Sequence, residues 1–97
     1  MKASECSTMA ELRAEIDRID AGLVELIAER ITYIDRAAEL KPGLGLPARI
    51  DDRVEEVVAK VRASAVARGV DPDLAEALWR RLIDWSIARE EVVLGSD

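Results

Sequence analysis

Residues 9–41 read MAELRAEIDRIDAGLVELIAERITYIDRAAELK, and within them Leu12, Ile16, Ile19, Leu23, Leu26, Arg30, Tyr33, Ala37 and Leu40 recur at alternating spacings of four and three. That alternation is the seam of one long amphipathic α-helix, with an arginine at one of its positions. Just ahead of it, Thr8 and Glu11 have the spacing of a capping box, in which two side chains satisfy otherwise unpaired amides at a helix start. From Met9 to Leu40 the helix would be about 48 Å long at roughly 1.5 Å per residue. A globule of this size has a radius of gyration of about 12–13 Å. Part of the helix must then project beyond its own core with apolar residues exposed, and a second copy of the chain is their natural cover. A kink is the alternative, but the stretch contains no proline and its only glycine is Gly22.

Pro42-Gly43-Leu44-Gly45-Leu46-Pro47 is expected to stop this helix, because proline lacks the amide and the glycines favour loop conformations. Ile50, Val54, Val57, Val61 and Ala65 mark a second helix over about 48–68, with Gly69 as its C-terminal cap. Asp71-Pro72 is a restart signal, an N-cap carboxylate followed by proline at the first helical position. The third helix runs over about 72–94, with Leu74, Leu78, Leu82, Trp85 and Val92 on one side. The expectation is an all-α, three-helix protomer of an intertwined homodimer, with residues 1–97 forming a single domain.

Composition narrows the function. The chain has 97 residues, 14 Lys and Arg against 20 Asp and Glu, and a net charge of -6. This argues against nucleic acid or an anionic membrane as partner, since both reward dense cationic surface. Cys6 is the only cysteine and histidine is absent. An intrachain disulfide, a Cys/His zinc site and histidine acid-base catalysis are therefore out of reach. No apolar run approaches the roughly 20 residues of a membrane span, and no signal-type apolar core follows the first residues, so the cytoplasm is the expected location.

Several charges sit where the pattern asks for apolar residues. Lys41 follows Arg30 by eleven residues, three turns on, so the two cations share nearly the same face of the first helix. On the third helix, Ser86 and Glu90 are four apart in the arc bounded by Trp85 and Ile83, and both are expected to face inward or line a cavity. Arg89 falls in the same arc, and on the second helix Arg53, just before the inward Val54, could lean towards an interior. One reading is plain pairing, Arg30 with a carboxylate of a neighbouring helix and Glu90 with Arg89 or Arg53. The other is a ligand, because buried pairs stabilise poorly and an excess of inward cations suits an anion. Arg13 precedes Arg30 by about 25 Å and is rotated by roughly 100° along one helix. One small ligand can meet both only if an antiparallel second helix brings Arg13 across; taken alone, Arg13 reads as a solvated position.

The stretch from Glu11 to Asp20, followed by Leu26-Ile27-Ala28-Glu29-Arg30 and Leu40-Lys41, resembles the first helix of the all-helical chorismate mutase family. The resemblance continues at Arg53 and through Leu82 to Glu90. It implies an entwined dimer of the chorismate mutase type II fold with two equivalent sites and no cofactor or metal. Arg30 and the Arg13 of the other copy would hold the two carboxylates of the substrate, using the planar guanidinium fork. Lys41 and Glu90 match the pair that hydrogen-bonds the substrate's ether oxygen, and Arg53 and Ser86 match accessory contacts. The implied reaction is the pericyclic rearrangement of chorismate to prephenate, achieved by conformer selection and stabilisation of charge on the ether oxygen.

Two departures bear on this. Many bacterial members carry glutamine where this chain has Glu90. A carboxyl group donates a hydrogen only when protonated, which implies better activity at mildly acidic pH or a Glu90 pKa raised by burial. The family's acidic residues around the second-helix arginine, which contact the substrate hydroxyl, are replaced by Ile50 and Val54. Those replacements, the opening Met-Lys…Glu-Cys and the surroundings of Trp85 also resemble the isochorismate-pyruvate lyase branch, which gives salicylate and pyruvate. A mutase for an amino-substituted chorismate and a non-catalytic helical dimer binding an aromatic metabolite are further alternatives.

Overall fold

The computed structural model describes residues 1–95 and is all-helical: a 3-10 turn at Ala3–Glu5, then α1 at Met9–Leu44, α2 at Asp51–Ala67 and α3 at Pro72–Leu94. The chain divides into two compact units, Met1–Tyr33 and a second that begins at Ile34, so α1 contributes to both.

In the first unit α1 starts where its capping residues place it. Thr8 Oγ1 accepts from the Glu11 amide at 3.1 Å, and Glu11 Oε1 accepts from the Ser7 and Thr8 hydroxyls, each at 3.1 Å. The Ser7 hydroxyl, followed by that of Thr8, holds the Glu11 carboxyl below the usual glutamate range. Beyond this cap, Ile16, Ile19, Leu23 and Leu26, the core of the apolar seam, are each more than half exposed in the single chain.

The second unit holds the core. α2 and α3 pack on each other, and Ala48, Val54, Val58, Ile83 and Ile87 form a buried cluster, with Val57 and Leu94 against it. Burying a Val or Ile side chain contributes about 1.5–3 kcal/mol, which makes this cluster the main support of the hairpin. Above it runs an ionic lattice. Arg62 meets Asp73 at 3.0 Å and Glu76 at 2.9 Å, while Arg80 joins Glu76 at 2.7 Å to Glu55 at 3.0 Å. The hydrogen bond from Arg80 is the main reason that Glu55 and Glu76 both lie below the usual glutamate range.

Three helix ends show why the chain turns where it does. Gly69 has φ +72°, the Val70 amide donates to the Ala65 carbonyl at 2.9 Å and the Gly69 amide to Val66 at 3.3 Å. This Schellman arrangement closes α2 as the sequence suggests. Asp71 caps α3 by accepting from the Asp73 amide at 2.8 Å, with Pro72 in the first turn. The end of α1 differs from expectation, because the helix passes through Pro42 and stops at Leu44. Pro42 lies in the last turn, where its missing amide forfeits a single hydrogen bond. The terminator is Gly45 at φ +69°, around which Leu46 donates to the Lys41 carbonyl at 3.0 Å.

α3 has two apolar faces. Its buried face carries Ala75, Ile83, Ser86, Ile87 and Glu90. The stripe that the sequence places on one side is largely exposed in the single chain: Leu74, Leu78, Trp85 and Val92 are all at least 40 % accessible, Leu82 alone being half-buried. The two faces are centred roughly 120° apart at about 100° per residue. Small and β-branched side chains allow close approach to α2, and the larger residues are left outside.

Candidate functional site

Lys41 extends from the last turn of α1, where the Gly45 turn folds the chain back so that Ala48 enters the core. Its Nζ donates to the Ala48 carbonyl at 2.8 Å and lies 2.7 Å from Glu90 Oε1 on α3. Both side chains are withdrawn from water, 16 % accessible for Lys41 and 5 % for Glu90. Glu90 Oε1 is buried and lacks a hydrogen bond of good geometry, despite the closeness of the ammonium. The ammonium attracts the carboxylate through charge at this distance, and of its three hydrogens the contact with Ala48 uses only one. Removing a carboxylate from water costs several kcal/mol unless its lone pairs are filled, so a native fold keeps such a group for a reason other than stability.

Ser86 and Glu90 are the buried polar residues among those described. Ser86, one turn before Glu90, donates its Oγ hydrogen to the Leu82 carbonyl at 2.8 Å. The structure thus gathers Lys41, Ser86 and Glu90 in the second unit. Arg53 belongs to that unit but not to its interior: it is exposed and pairs with Glu56 one turn along α2. Its expected inward lean is corrected by geometry, since Val54 takes the core position and turns its neighbour outward. Arg89 is likewise not turned inward. It forms a two-pronged bridge to Asp35, Nε to Oδ1 at 2.6 Å and Nη2 to Oδ2 at 3.0 Å. Glu90 therefore pairs with neither Arg89 nor Arg53. In the first unit, Arg13 is exposed and Arg30 half-buried on α1.

Sequence reasoning missed the Ala48 carbonyl and Asp35. The first is a backbone group that any residue would supply, and the second is one acid among many on a helix surface. Among the described residues no group of three or more His, Cys, Asp or Glu side chains could hold a metal ion. Cys6 is half-buried near the chain start, its thiol 3.7 Å from the Lys2 carbonyl. A cavity of about 200 Å³ at the far end of the α2–α3 hairpin is lined by Val61, Ala65, Ala75, Trp79 and Arg68, and includes none of the site candidates. None of the helices is long and apolar enough to cross a membrane, among the described residues.

The chain is thus all-helical and keeps a lysine–glutamate pair largely out of water. Comparison with known proteins places it in a family. The model of the chorismate mutase type II family matches residues 12–91, and the chain belongs to that family. It is 35 % identical over 82 residues to the T-protein of Enterobacter agglomerans, covering 84 % of this chain and 22 % of that protein. It is 32 % identical over 92 residues to the isochorismate pyruvate lyase of Pseudomonas aeruginosa, covering 93 % of this chain and 89 % of the lyase. Over 86 residues it is 30 % identical to the chorismate mutase of Methanocaldococcus jannaschii, covering 89 % and 87 % of the two chains. The chain thus spans about a fifth of the T-protein and nearly the whole of the other two.

Proposed function

We propose that this protein is a chorismate mutase, a cytoplasmic homodimer that converts chorismate to prephenate. The observation that carries the reading is the buried Lys41–Glu90 pair, 2.7 Å apart, with one carboxylate oxygen short of a directed hydrogen bond. In the rearrangement one C–O bond breaks as one C–C bond forms, so neither a nucleophile nor a general base is needed. Negative charge grows on the ether oxygen, and the Lys41 ammonium and the acid form of Glu90 supply hydrogens to it from a site shielded from water. Ser86 lies one turn away on the same face of α3, and Arg53 is assigned an accessory contact reached by leaving Glu56. Arg30, with Arg13 of a second copy, holds the substrate's carboxylates in the compact reactive conformer. Dimerisation is supported by the exposed seam Ile16, Ile19, Leu23 and Leu26 and by Leu74, Leu78 and Trp85 on α3, which together exceed the scattered apolar exposure of an ordinary monomer. In this proposal the two units of the protomer work as one domain.

A second reading is favoured by position 54. Val54 is part of the apolar core and Ile50 is a half-buried N-cap, so neither supplies a carboxylate for a substrate hydroxyl. That suits an isochorismate-pyruvate lyase, in which the same C–O bond breaks while a ring hydrogen moves to the departing enolpyruvyl group, leaving salicylate and pyruvate. Incubating the protein separately with chorismate and isochorismate, beside an Arg30→Ala control, decides between them. The expected product is prephenate from chorismate, lost in the control. Salicylate and pyruvate from isochorismate alone would transfer the site to the lyase, and no turnover of either, with the dimer intact, would leave a binding protein.

The donor role of Glu90 has its own test. Glu90→Gln, which carries amide hydrogens of its own, should keep kcat within about tenfold of wild type or raise it, whereas Glu90→Ala, which has none, should lose about a hundredfold or more. A Glu90→Ala protein that turns over within about threefold of wild type removes this donor from the mechanism.

A further inference from the structure

The segment of α1 that lies in the second unit is joined to α3 by two ion pairs of opposite polarity. Asp35 of α1 faces Arg89 of α3, and Lys41 of α1 faces Glu90 of α3. Asp35 and Lys41 are six residues apart, about 9 Å along the helix at 1.5 Å per residue, whereas Arg89 and Glu90 are neighbours. Sliding or rolling α3 to bring Glu90 towards Asp35, or Arg89 towards Lys41, sets like charges against each other. The arrangement therefore favours a single register.

The outer pair is also the more directional of the two. Both nitrogens of the Arg89 fork meet both oxygens of Asp35, at 2.6 and 3.0 Å, while the guanidinium carbon sits 5.5 Å from the centre of the Trp85 ring one turn earlier. Trp85 thus backs Arg89, and the bidentate bond fixes the direction from which α3 is held. Exposed ion pairs contribute little to stability, and each partner here is close to half exposed. Holding a neighbouring group in place is a different task, and it needs only the geometry. Because Arg89 directly precedes Glu90, a rotation of α3 that breaks the outer pair moves the inner one.

We propose that Asp35 and Arg89, backed by Trp85, are positioning residues that fix the register of α3 on the last part of α1 and so hold Glu90 opposite Lys41. The role rests on the proposed function of the Lys41–Glu90 pair. Misplacing a donor by about 1 Å can cost up to a hundredfold in rate, with little effect on binding contacts made elsewhere.

The experiment compares wild-type protein with Asp35→Asn, Arg89→Lys and Arg89→Gln, using the substrate that wild type turns over. Asp35→Asn and Arg89→Gln should each lower kcat about tenfold with KM within about twofold and the thermal midpoint nearly unchanged, and the double variant should lose no more than the worse single one. Arg89→Lys, which keeps the charge without the fork, should fall between wild type and Arg89→Gln. Unchanged kcat in both single variants overturns the proposal. So does a loss of kcat that merely follows a lowered thermal midpoint, or losses that multiply in the double variant. If wild type turns over neither substrate, the proposed function fails by itself, and amide hydrogen exchange over residues 86–93 still tests the clamp: faster exchange in Asp35→Asn supports it, equal exchange overturns it.

Discussion

Replacing Lys41 by alanine is expected to lower kcat by about a hundred- to a thousandfold, the usual loss when one preorganised donor to a developing oxyanion is removed. The same substitution should destabilise the fold, because Glu90, 5 % accessible, would lose the cation beside it. Breaking a buried pair from one side costs about 3–5 kcal/mol, a large part of the 5–15 kcal/mol by which a domain is stable. The Ala48 carbonyl would lose its donor as well. Rate and stability can be separated with Lys41→Gln, which has length and a hydrogen to offer but no charge. It should recover part of the lost urea midpoint while leaving most of the kcat deficit, since charge and not mere hydrogen bonding answers the ether oxygen. Single-turnover rates at saturating substrate, with urea unfolding of the same samples, provide the measurement. A Lys41→Ala protein that turns over within about threefold of wild type would remove Lys41 from the catalytic step.

What the sequence made legible was local. The capping residues Thr8 and Glu11, the Gly69 terminus and the Asp71-Pro72 restart sit where the structure uses them, because each acts on amides within four residues of itself. Periodicity also placed Ser86 and Glu90 on an inward face, and both are buried. It could not tell which neighbour a face meets. α3 carries two apolar stripes, and the one against α2 is not that of Leu74, Leu78 and Trp85. Arg53 and Arg89 lie at the edges of inward arcs, where a long side chain can turn either way: Arg53 turns to Glu56 one helical turn on, and Arg89 to Asp35, an acid that no spacing rule selects. Lys41 and Glu90 are 49 positions apart, so only the resemblance to a family put them together before the fold did. Pro42 marked the end of α1 only approximately: a proline forfeits its own amide bond to the preceding turn without forbidding the two residues after it, and the stop falls at Gly45 with its positive φ.

The remaining large effect tests the second copy. If each site takes Lys41, Glu90 and Arg30 from one protomer and Arg13 from the other, then Arg13→Ala and Glu90→Ala proteins are each nearly inactive for different reasons. Unfolding them together and refolding the mixture in equal amounts should give half mixed dimers. In a mixed dimer, one site unites the intact Glu90 of the first chain with the intact Arg13 of the second, and the other site carries both lesions. About a quarter of wild-type activity should therefore return, from two inactive parents, by the symmetry of a two-fold dimer. Two outcomes would contradict the shared site. No recovery, with mixed dimers shown to form, means that Arg13 acts within its own chain or not at all. Full activity in the Arg13→Ala parent means that the exposed Arg13 of α1 is the solvated residue that its position alone suggests. The same mixing repeated with Leu23→Glu in one chain supplies the control for assembly. A carboxylate in the middle of the exposed seam should prevent mixed dimers from forming and abolish the recovery, because an unpaired charge buried between apolar faces costs more than the seam gains.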